Sequence, residues 1–338
     1  MTLMFLRRLG LALPTLLGVS VVIFLLMSVL PGDPLAGLLA QDATAADREA
    51  LTHSLGLDAP LAVRYVRWLG DVLHGDFGYS PYRKRDVSEL LGTAFLNTVQ
   101  LAVAAATIGI GIGLILGVLA AVMRGRFLDR LVSMLAMTGI SIPSYWVAIL
   151  LIIIFSATLK WLPAGGMHSA HAGGFLDYVK HVAMPAFASA FVSIGVTARM
   201  TRASLLETYN MDFVDLLHAK GLRSWQVLGH VAKTAASPVL TVAGLQVGFL
   251  LGGSVLVETI FSWPGLGQLI FQAIVARDFK VLQAGVLVVA VTFVLMNLLV
   301  DVLHIVEEAA AVRAVHAARR QPFQRRGEDD DEQDRDPV

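Results

Sequence analysis

LLETYNMDFVDLLHAKGLRSWQVLGHVAKTAASP, residues 205–238, is a charged, helix-compatible segment between two apolar runs that are each long enough to cross a bilayer. Its centre has the pattern D-x-x-x-A-K-G, formed by Asp215, Ala219, Lys220 and Gly221. Glycine is favoured just past the end of a helix, so the pattern predicts a short helix that closes at Gly221. On spacing alone, a solvated loop between membrane helices explains the segment equally well.

The composition of the whole chain indicates a membrane protein. Of its 338 residues, 56% are hydrophobic and 15% charged, and the mean hydropathy is +0.69, far above that of a soluble domain. The net charge is zero, so nothing points to a nucleic-acid partner. The chain has no cysteine, which excludes disulfides, thiolate catalysis and cysteine metal sites.

Uncharged runs predict six membrane-spanning helices, and hence an all-α polytopic membrane protein. The fourth run contains Pro185 and many small residues, which allow close helix packing in lipid, so we expect it inside the bundle. Glycines in the second run are interpreted as close-packing positions in the same way. These glycines are Gly109, Gly111, Gly113 and Gly117, and the six runs cover residues 9–32, 90–123, 131–159, 182–198, 234–257 and 281–300.

Residues 33–89 are richer in charge and predict a small helical insertion outside the membrane. A stripe of apolar residues at helical spacing ends near the turn at Gly75 and Asp76. The stripe consists of Leu61, Tyr65, Trp68, Leu69 and Val72. A cap packed on the membrane domain and a docking surface for an extracytoplasmic binding protein are both compatible with this pattern.

The short loops favour a cytoplasmic position for both termini, because basic residues concentrate on one side. The predicted inner side also holds the Asp215–Gly221 segment. We divide the chain into the N-terminus and first span, the insertion, a core with a cytoplasmic loop at 199–236, and a tail whose acidic end is expected to be disordered. The four parts are residues 1–32, 33–89, 90–304 and 305–338.

Polar residues inside or near the runs are candidates for a translocation path, since such groups are costly in lipid. Hydrogen bonds between helices are the alternative explanation for each. The candidates are Asn97, Gln100, Ser141, Ser144, Gln246 and Ser254. At the outer end of the fifth run, a structural cap or an outer gate is predicted at Glu258, Phe261, Trp263, Pro264 and Gly265.

The chain contains no HExxH, GxSxG or Walker A motif, so we predict a non-catalytic subunit without a cofactor of its own. The best metal candidates are His168 and His171, in the sequence GGMHSAHAGG. Neither has a carboxylate neighbour in this sequence, and metal ligands usually have supporting partners, so we expect no metal site.

Several motifs in order resemble bacterial ABC importer permeases, in particular the peptide and nickel (dipeptide/oligopeptide permease B) family. The 205–238 segment resembles the family's EAA loop, and the likeness covers about residues 1–304. Supporting motifs are Pro31-Gly32-Asp33-Pro34, Leu55-Gly56-Leu57-Asp58-x-Pro60-Leu61, His74-Gly75-Asp76-Phe77-Gly78, 239–246 and Glu258–Gly267. The chain departs from the family at its end, where Glu307 and Glu308 stand near the place of an Asp-Pro-Arg signature.

The resemblance implies a type I permease bundle in the bacterial inner membrane that couples to an ATPase through the loop. The implied coupling residues are Glu207, Asp212, Asp215, Ala219, Lys220 and Gly221. It also implies a second permease subunit in a heterodimer, two ATPase subunits that bind ATP and magnesium, and an extracytoplasmic substrate-binding protein.

The expected cargo is a di- or oligopeptide, with nickel chelates, glutathione-like peptides or small glycosides as alternatives. A rival function is an ion-coupled secondary carrier, which predicts mid-span charged residues and inverted repeats.

Overall fold

The structure is a computed structural model that describes residues 2–29, 44–54, 56, 58–169 and 173–320. It is almost entirely helical, with a single pair of two-residue strands in this part of the chain. In chain order the elements are α1 (Thr2–Val29), α2 (Ala45–Ser54), α3 (Leu61–Leu73), β1 (Tyr79–Ser80), β2 (Arg85–Asp86), α4 (Val87–Val122), α5 (Phe127–Ser141), α6 (Ser144–Leu151, continued by π-helical Ile152–Thr158), α7 (Phe175–Tyr209), α8 (Asp212–Ala219), α9 (Ser224–Gly253), α10 (Val255–Ile260), α11 (Leu266–Ala276) and α12 (Phe279–Arg320).

Five of these helices are long and apolar enough to cross a membrane, and the bent pair of α5 and α6 makes six if it is counted as one span. The predicted all-α membrane fold is confirmed, with five to six candidate spans against the six predicted. The third predicted run, 131–159, does not form one continuous helix, because α5 and α6 meet at 101°. Pro143 explains the bend: a proline disfavours helical backbone at the residue before it, and Ile142 is extended with φ −87° and ψ 125°.

Helix α7 lies at the centre of the bundle, as the small residues of its run predict, with two thirds (67%) of its most apolar window buried. Its main partner is α4, which runs parallel to it. A Cβ added to Gly113 would lie 2.6 Å from Thr197 Cβ, and one on Gly117 would lie 2.5 Å from Thr201 Cβ. Only glycine permits this approach of the two helices.

Gly109 is a third contact of this kind, facing Ser193, whereas a Cβ on Gly111 would meet nothing within 4 Å. The prediction for Gly111 is therefore wrong. Positions 109, 113 and 117 repeat every four residues and share one face of α4, and Gly111 falls near the opposite face.

The insertion is helical as predicted, and it also contains the short β1–β2 pair, in which Tyr79 is opposite Asp86. α3 ends at Leu73, next to the predicted turn. Buried Ser80 donates a hydrogen bond to Asp278, at the junction of α11 and α12, which fixes the insertion to the bundle.

Some sequence predictions lie outside the described residues: the Pro31–Pro34 motif, residues 33–43 of the insertion, Leu55, Leu57, His171 and the acidic end of the tail after Arg320. The division of the chain into four parts stays a prediction.

Candidate functional site

The predicted short helix of the 205–238 segment is α8, and it ends as the glycine pattern indicates. Gly221 has a left-handed φ of +75°. The N–H of Leu222 donates to the carbonyl of Leu217 at 3.2 Å, and the N–H of Gly221 donates to the carbonyl of His218 at 2.9 Å. These two bonds form a Schellman motif, which satisfies carbonyls at the helix end and reverses the chain.

One face of α8 is fixed to the bundle by Val214, which is only 2% exposed. It packs with Leu205 on α7 and with Val227 and Val231 on α9, and Ala121 at the end of α4 borders the same cluster. α8 is therefore attached to three of the long helices through a single buried apolar cluster.

The opposite face of α8 and its surroundings are open to solvent. Its side chains combine charge with uncovered apolar surface: Leu216 is 55% exposed and nearby Trp225 is 68% exposed. The exposed residues include all the predicted coupling positions: Glu207, Asp212, Asp215, Ala219, Lys220 and Gly221. Exposed large apolar side chains among charges are typical of a protein-binding surface.

An ion pair with a buried carboxylate lies at the same end of the bundle, and the sequence predictions do not include it. Asp129, at the start of α5, is 4% exposed. Its carboxylate accepts two hydrogen bonds from Arg202 on α7, at 2.6 and 2.9 Å, and one from the N–H of Gly125 at 2.9 Å. The pair holds the start of the bent span against α7. The only sequence signal was an acidic residue within a strongly basic short loop.

At the other end of the bundle Glu258 is fully buried, and its carboxylate accepts four hydrogen bonds. Oε1 accepts from the hydroxyls of Thr98, at 2.9 Å, and Ser254, at 2.6 Å. Oε2 accepts from the N–H groups of Gly267, at 2.7 Å, and Gln268, at 3.3 Å, in the first turn of α11. An anion is favoured at a helix N-terminus, so Glu258 caps α11.

The chain between Glu258 and α11 is folded tightly onto α4. Trp263 is fully buried and its indole N–H donates to the carbonyl of Asn97 at 2.9 Å, while the Asn97 amide donates to the carbonyl of Pro264 at 2.9 Å. A Cβ on Gly265 would lie 2.6 Å from both Thr98 Oγ1 and Glu258 Cδ. Phe261 is buried too. We name Asn97, Thr98, Ser254 and Glu258–Gln268 the Glu258 cluster.

The cluster includes two of the predicted path residues, Asn97 and Ser254, and engages their side chains in hydrogen bonds. Two roles were predicted for Glu258, a structural cap and an outer gate, and its contacts are those of a structural cap. A role of these residues in a path or an outer gate stays a prediction.

The other path candidates lie on four different helices. Gln246 accepts a hydrogen bond from Ser193 at 3.0 Å, which joins α9 to α7. Ser141 donates to the carbonyl of Met137 within its own helix, and Ser144 lies at the bend between α5 and α6. Gln100 is exposed in a cleft of about 470 Å³ that Tyr178 also lines. The structure does not bring these four together.

The expectation that His168 has no carboxylate neighbour is wrong. Asp177, in the first turn of α7, lies 3.8 Å from His168 and 3.5 Å from His181, which is buried. The neighbour follows in the sequence at the start of the next helix, and only folding brings it near. Within the described residues no three histidine or acidic side chains are grouped so as to hold a metal ion.

Comparisons with known proteins agree with one another. Residues 113–306 match the family model described as "Binding-protein-dependent transport system inner membrane component", and residues 1–103 match the model of its N-terminal region. A glutathione transport system permease protein of Salmonella paratyphi A is 42% identical over 299 residues, covering 88% of this chain and 94% of that protein.

A putative peptide transport system permease protein of Brucella abortus is 39% identical over 309 residues, which is 91% of this chain and 98% of that protein. Among solved structures, an inward-facing MetNI methionine ABC transporter is similar with a TM-score of 0.53 at 20% identity. This similarity covers 64% of the present chain and 94% of the other, and it shows the fold alone.

Proposed function

This chain belongs to the family of binding-protein-dependent transport system inner membrane components, and from that membership we propose that α8 is the helix through which an ATPase drives it. The chain is the permease component of an ABC importer. Membership in this family argues against the alternative function, an ion-coupled secondary carrier.

The observation that carries the proposal is the two-sided construction of α8. Val214 fixes one face to α7 and α9, and the other face offers Asp212, Asp215 and Leu216 to solvent. A helix that is attached to the bundle and also docked on a motor subunit transmits that subunit's motion to the long helices. We infer that ATP and magnesium are bound by two partner ATPase subunits and that this chain holds no cofactor.

In the proposed cycle, closure of the ATPase pair moves α8 and, with it, the inner ends of α7 and α9. The ion pair of Asp129 with Arg202 passes the movement to the bent span. The bundle then rocks against a second, homologous permease subunit and alternates access to a shared path. Gln246, Gln100, Ser141 and Ser144 remain our candidates for that path.

For the orientation we propose cytoplasmic termini. The end of the bundle that bears α8 also bears Arg124, Arg126, Arg130 and Arg199, which is the distribution expected of cytoplasmic loops. The insertion then lies on the outer side, where a substrate-binding protein delivers cargo.

We propose a di- or oligopeptide as cargo, because the relatives are named for peptide and glutathione transport. Glutathione, itself a short peptide, is the second candidate. Vesicles containing the complete transporter should take up a labelled dipeptide or labelled glutathione only when supplied with ATP. If the vesicles instead took up another compound when supplied with ATP, and neither peptide inhibited that uptake, this assignment would be overturned.

Charge reversal on the open face of α8 tests the docking role. The double variant Asp212→Lys with Asp215→Lys should enter the membrane at normal levels but lose most of the ATPase that co-purifies with it. Asp71→Lys reverses an exposed carboxylate on α3, in the insertion, and should retain the ATPase. Normal co-purification and uptake in the double variant would contradict the proposal.

A further inference from the structure

Helix α3 carries more apolar surface than its protein contacts cover. Tyr65, Trp68 and Val72 form the half-buried face toward the bundle. With 100° between successive residues, the two flanks of this face differ. One flank carries the exposed apolar side chains Val63 (41% exposed), Val66 (66%) and Leu73 (78%), and the other carries Arg64, Arg67 and Asp71.

The contact with α1 places α3 level with the inside of a membrane span. The hydroxyl of Tyr65 lies 2.8 Å from that of Ser20, and the ring of Phe24 lies 5.4 Å from Tyr65 and 5.6 Å from Trp68. Ser20 is nine residues before the end of the span Gly10–Val29, or about 14 Å along the helix axis.

Two other spanning helices give the same depth. Val72 and Phe77 line an apolar cleft of about 210 Å³ together with Phe95 and Val288. Phe95 is eight residues into α4, about 12 Å, and Val288 is nine residues into α12, about 14 Å, both counted from the same end of the bundle. Tyr65, Trp68 and Val72 therefore lie level with positions about 12 to 14 Å along the long helices from their ends.

The part of α1 that contacts α3 also carries exposed apolar side chains. Beside Ser20 and Phe24, α1 exposes Leu17, Val21 and Leu25 within its membrane span. A helix with an apolar flank, an aromatic contact face and arginines on the opposite flank is typical of segments that lie in a membrane interface.

We propose that α3 is embedded in the leaflet at the Val29 end of α1, with Val63, Val66 and Leu73 against phospholipid acyl chains. Arg64 and Arg67 then point to the phosphate groups and water. An acyl chain of the same leaflet fills the apolar cleft beside Val72 and Phe77. The partner of this surface is thus the lipid bilayer, and the insertion is seated in the membrane rather than raised above it. The proposal is independent of the role of α8.

The absence of cysteine in the chain permits a direct test. Spin labels are attached to Val66→Cys, Leu73→Cys, Arg67→Cys and Asp71→Cys in the assembled transporter in phospholipid nanodiscs. Collision rates are measured with oxygen, which concentrates in lipid, and with a water-soluble nickel chelate. Leu17→Cys and Tyr82→Cys serve as references for a lipid-facing and an exposed loop position.

We expect an oxygen-to-nickel collision ratio severalfold higher at positions 66 and 73 than at 67 and 71, close to that of position 17. A ratio at 66 and 73 equal to that of position 82 would place the flank in water and overturn the proposal. Low collision rates with both reagents at 66 and 73 would show that protein covers them, which overturns it equally. Each flank is labelled at two positions, so that the flank can still be measured if one of its two variants assembles poorly.

Discussion

The Glu258 cluster and α8 lie at opposite ends of the same bundle and are built in opposite ways. In the cluster the glutamate is fully buried and its carboxylate accepts four hydrogen bonds, and Trp263 and Phe261 of the same cluster are buried as well. In α8 the acidic side chains are exposed, and one residue, Val214, supplies the deepest contact.

The contrast indicates different tasks. A buried carboxylate is tolerated only where its hydrogen bonds are made, so the Glu258 cluster holds α4, α10 and α11 in one arrangement. The outer face of α8 is exposed, and the proposed docking on the ATPase would cover its apolar side chains. The α4–α7 contact joins the two ends, so in the proposed cycle a movement of α8 would reach the cluster as movement of whole helices.

Removing the carboxylate from the rigid end should have the largest effect. Glu258→Ala leaves two hydroxyls and two N–H groups without their acceptor in a buried place, at an expected cost of about 3 kcal/mol or more. The measurement is the thermal unfolding midpoint of the transporter in detergent, together with the amount recovered from membranes. Asp58→Ala removes an exposed carboxylate and should change neither. If Glu258→Ala were as stable as the unchanged protein, the Glu258 cluster would not be the rigid end of the bundle.

The second largest loss of stability is expected at the contact between α4 and α7, which joins the two ends. Gly113→Val forces a side chain into Thr197 and should cost about 1–3 kcal/mol by overpacking. Gly111→Val on the same helix meets nothing within 4 Å and serves as the matched control. The unfolding midpoint should fall for the first variant only. Equal responses would mean that α4 and α7 do not approach through the Gly109, Gly113 and Gly117 face.

The smallest change in stability, with a strong functional effect, is expected at the exposed end. Gly221→Val places a β-branched residue at φ +75°, a local strain of about 1–2 kcal/mol. Nothing lies within 4 Å of this position, so the effect comes from the backbone alone. Uptake and ATPase binding should be lost while membrane insertion persists. Gly229→Val, inside α9 and equally free of contacts, should keep both; normal uptake in Gly221→Val would argue against a shaped coupling turn.

The two ends also differ in how far the sequence predicts them. α8 depends on neighbours in the chain: the Asp215–Gly221 pattern predicts a short helix that closes at Gly221, and the structure has both the helix and that end. The spans follow from runs of apolar residues, which need no knowledge of partners. The runs do not predict the bend at Pro143, although the proline itself indicates extended backbone before it.

The Glu258 cluster was recognised as a cap or a gate, and its partners were not predicted. Thr98 is 160 residues away in the chain, and no periodicity relates the two positions. The pair of Asp129 and Arg202, 73 residues apart, and the approach of Asp177 to His168 were missed for the same reason. Such contacts arise when helices pack, and one sequence alone does not record which faces meet.

The most direct test of α8 as the coupling helix is a crosslink to the motor subunit. Leu216→Cys, in a chain with no other cysteine, is labelled with a benzophenone maleimide and irradiated in membranes that contain the complete transporter. The control label is at Tyr82→Cys, in the insertion. We expect an adduct with the ATPase from position 216 and none from position 82. Absence of that adduct from a fully labelled, assembled Leu216→Cys transporter would contradict it.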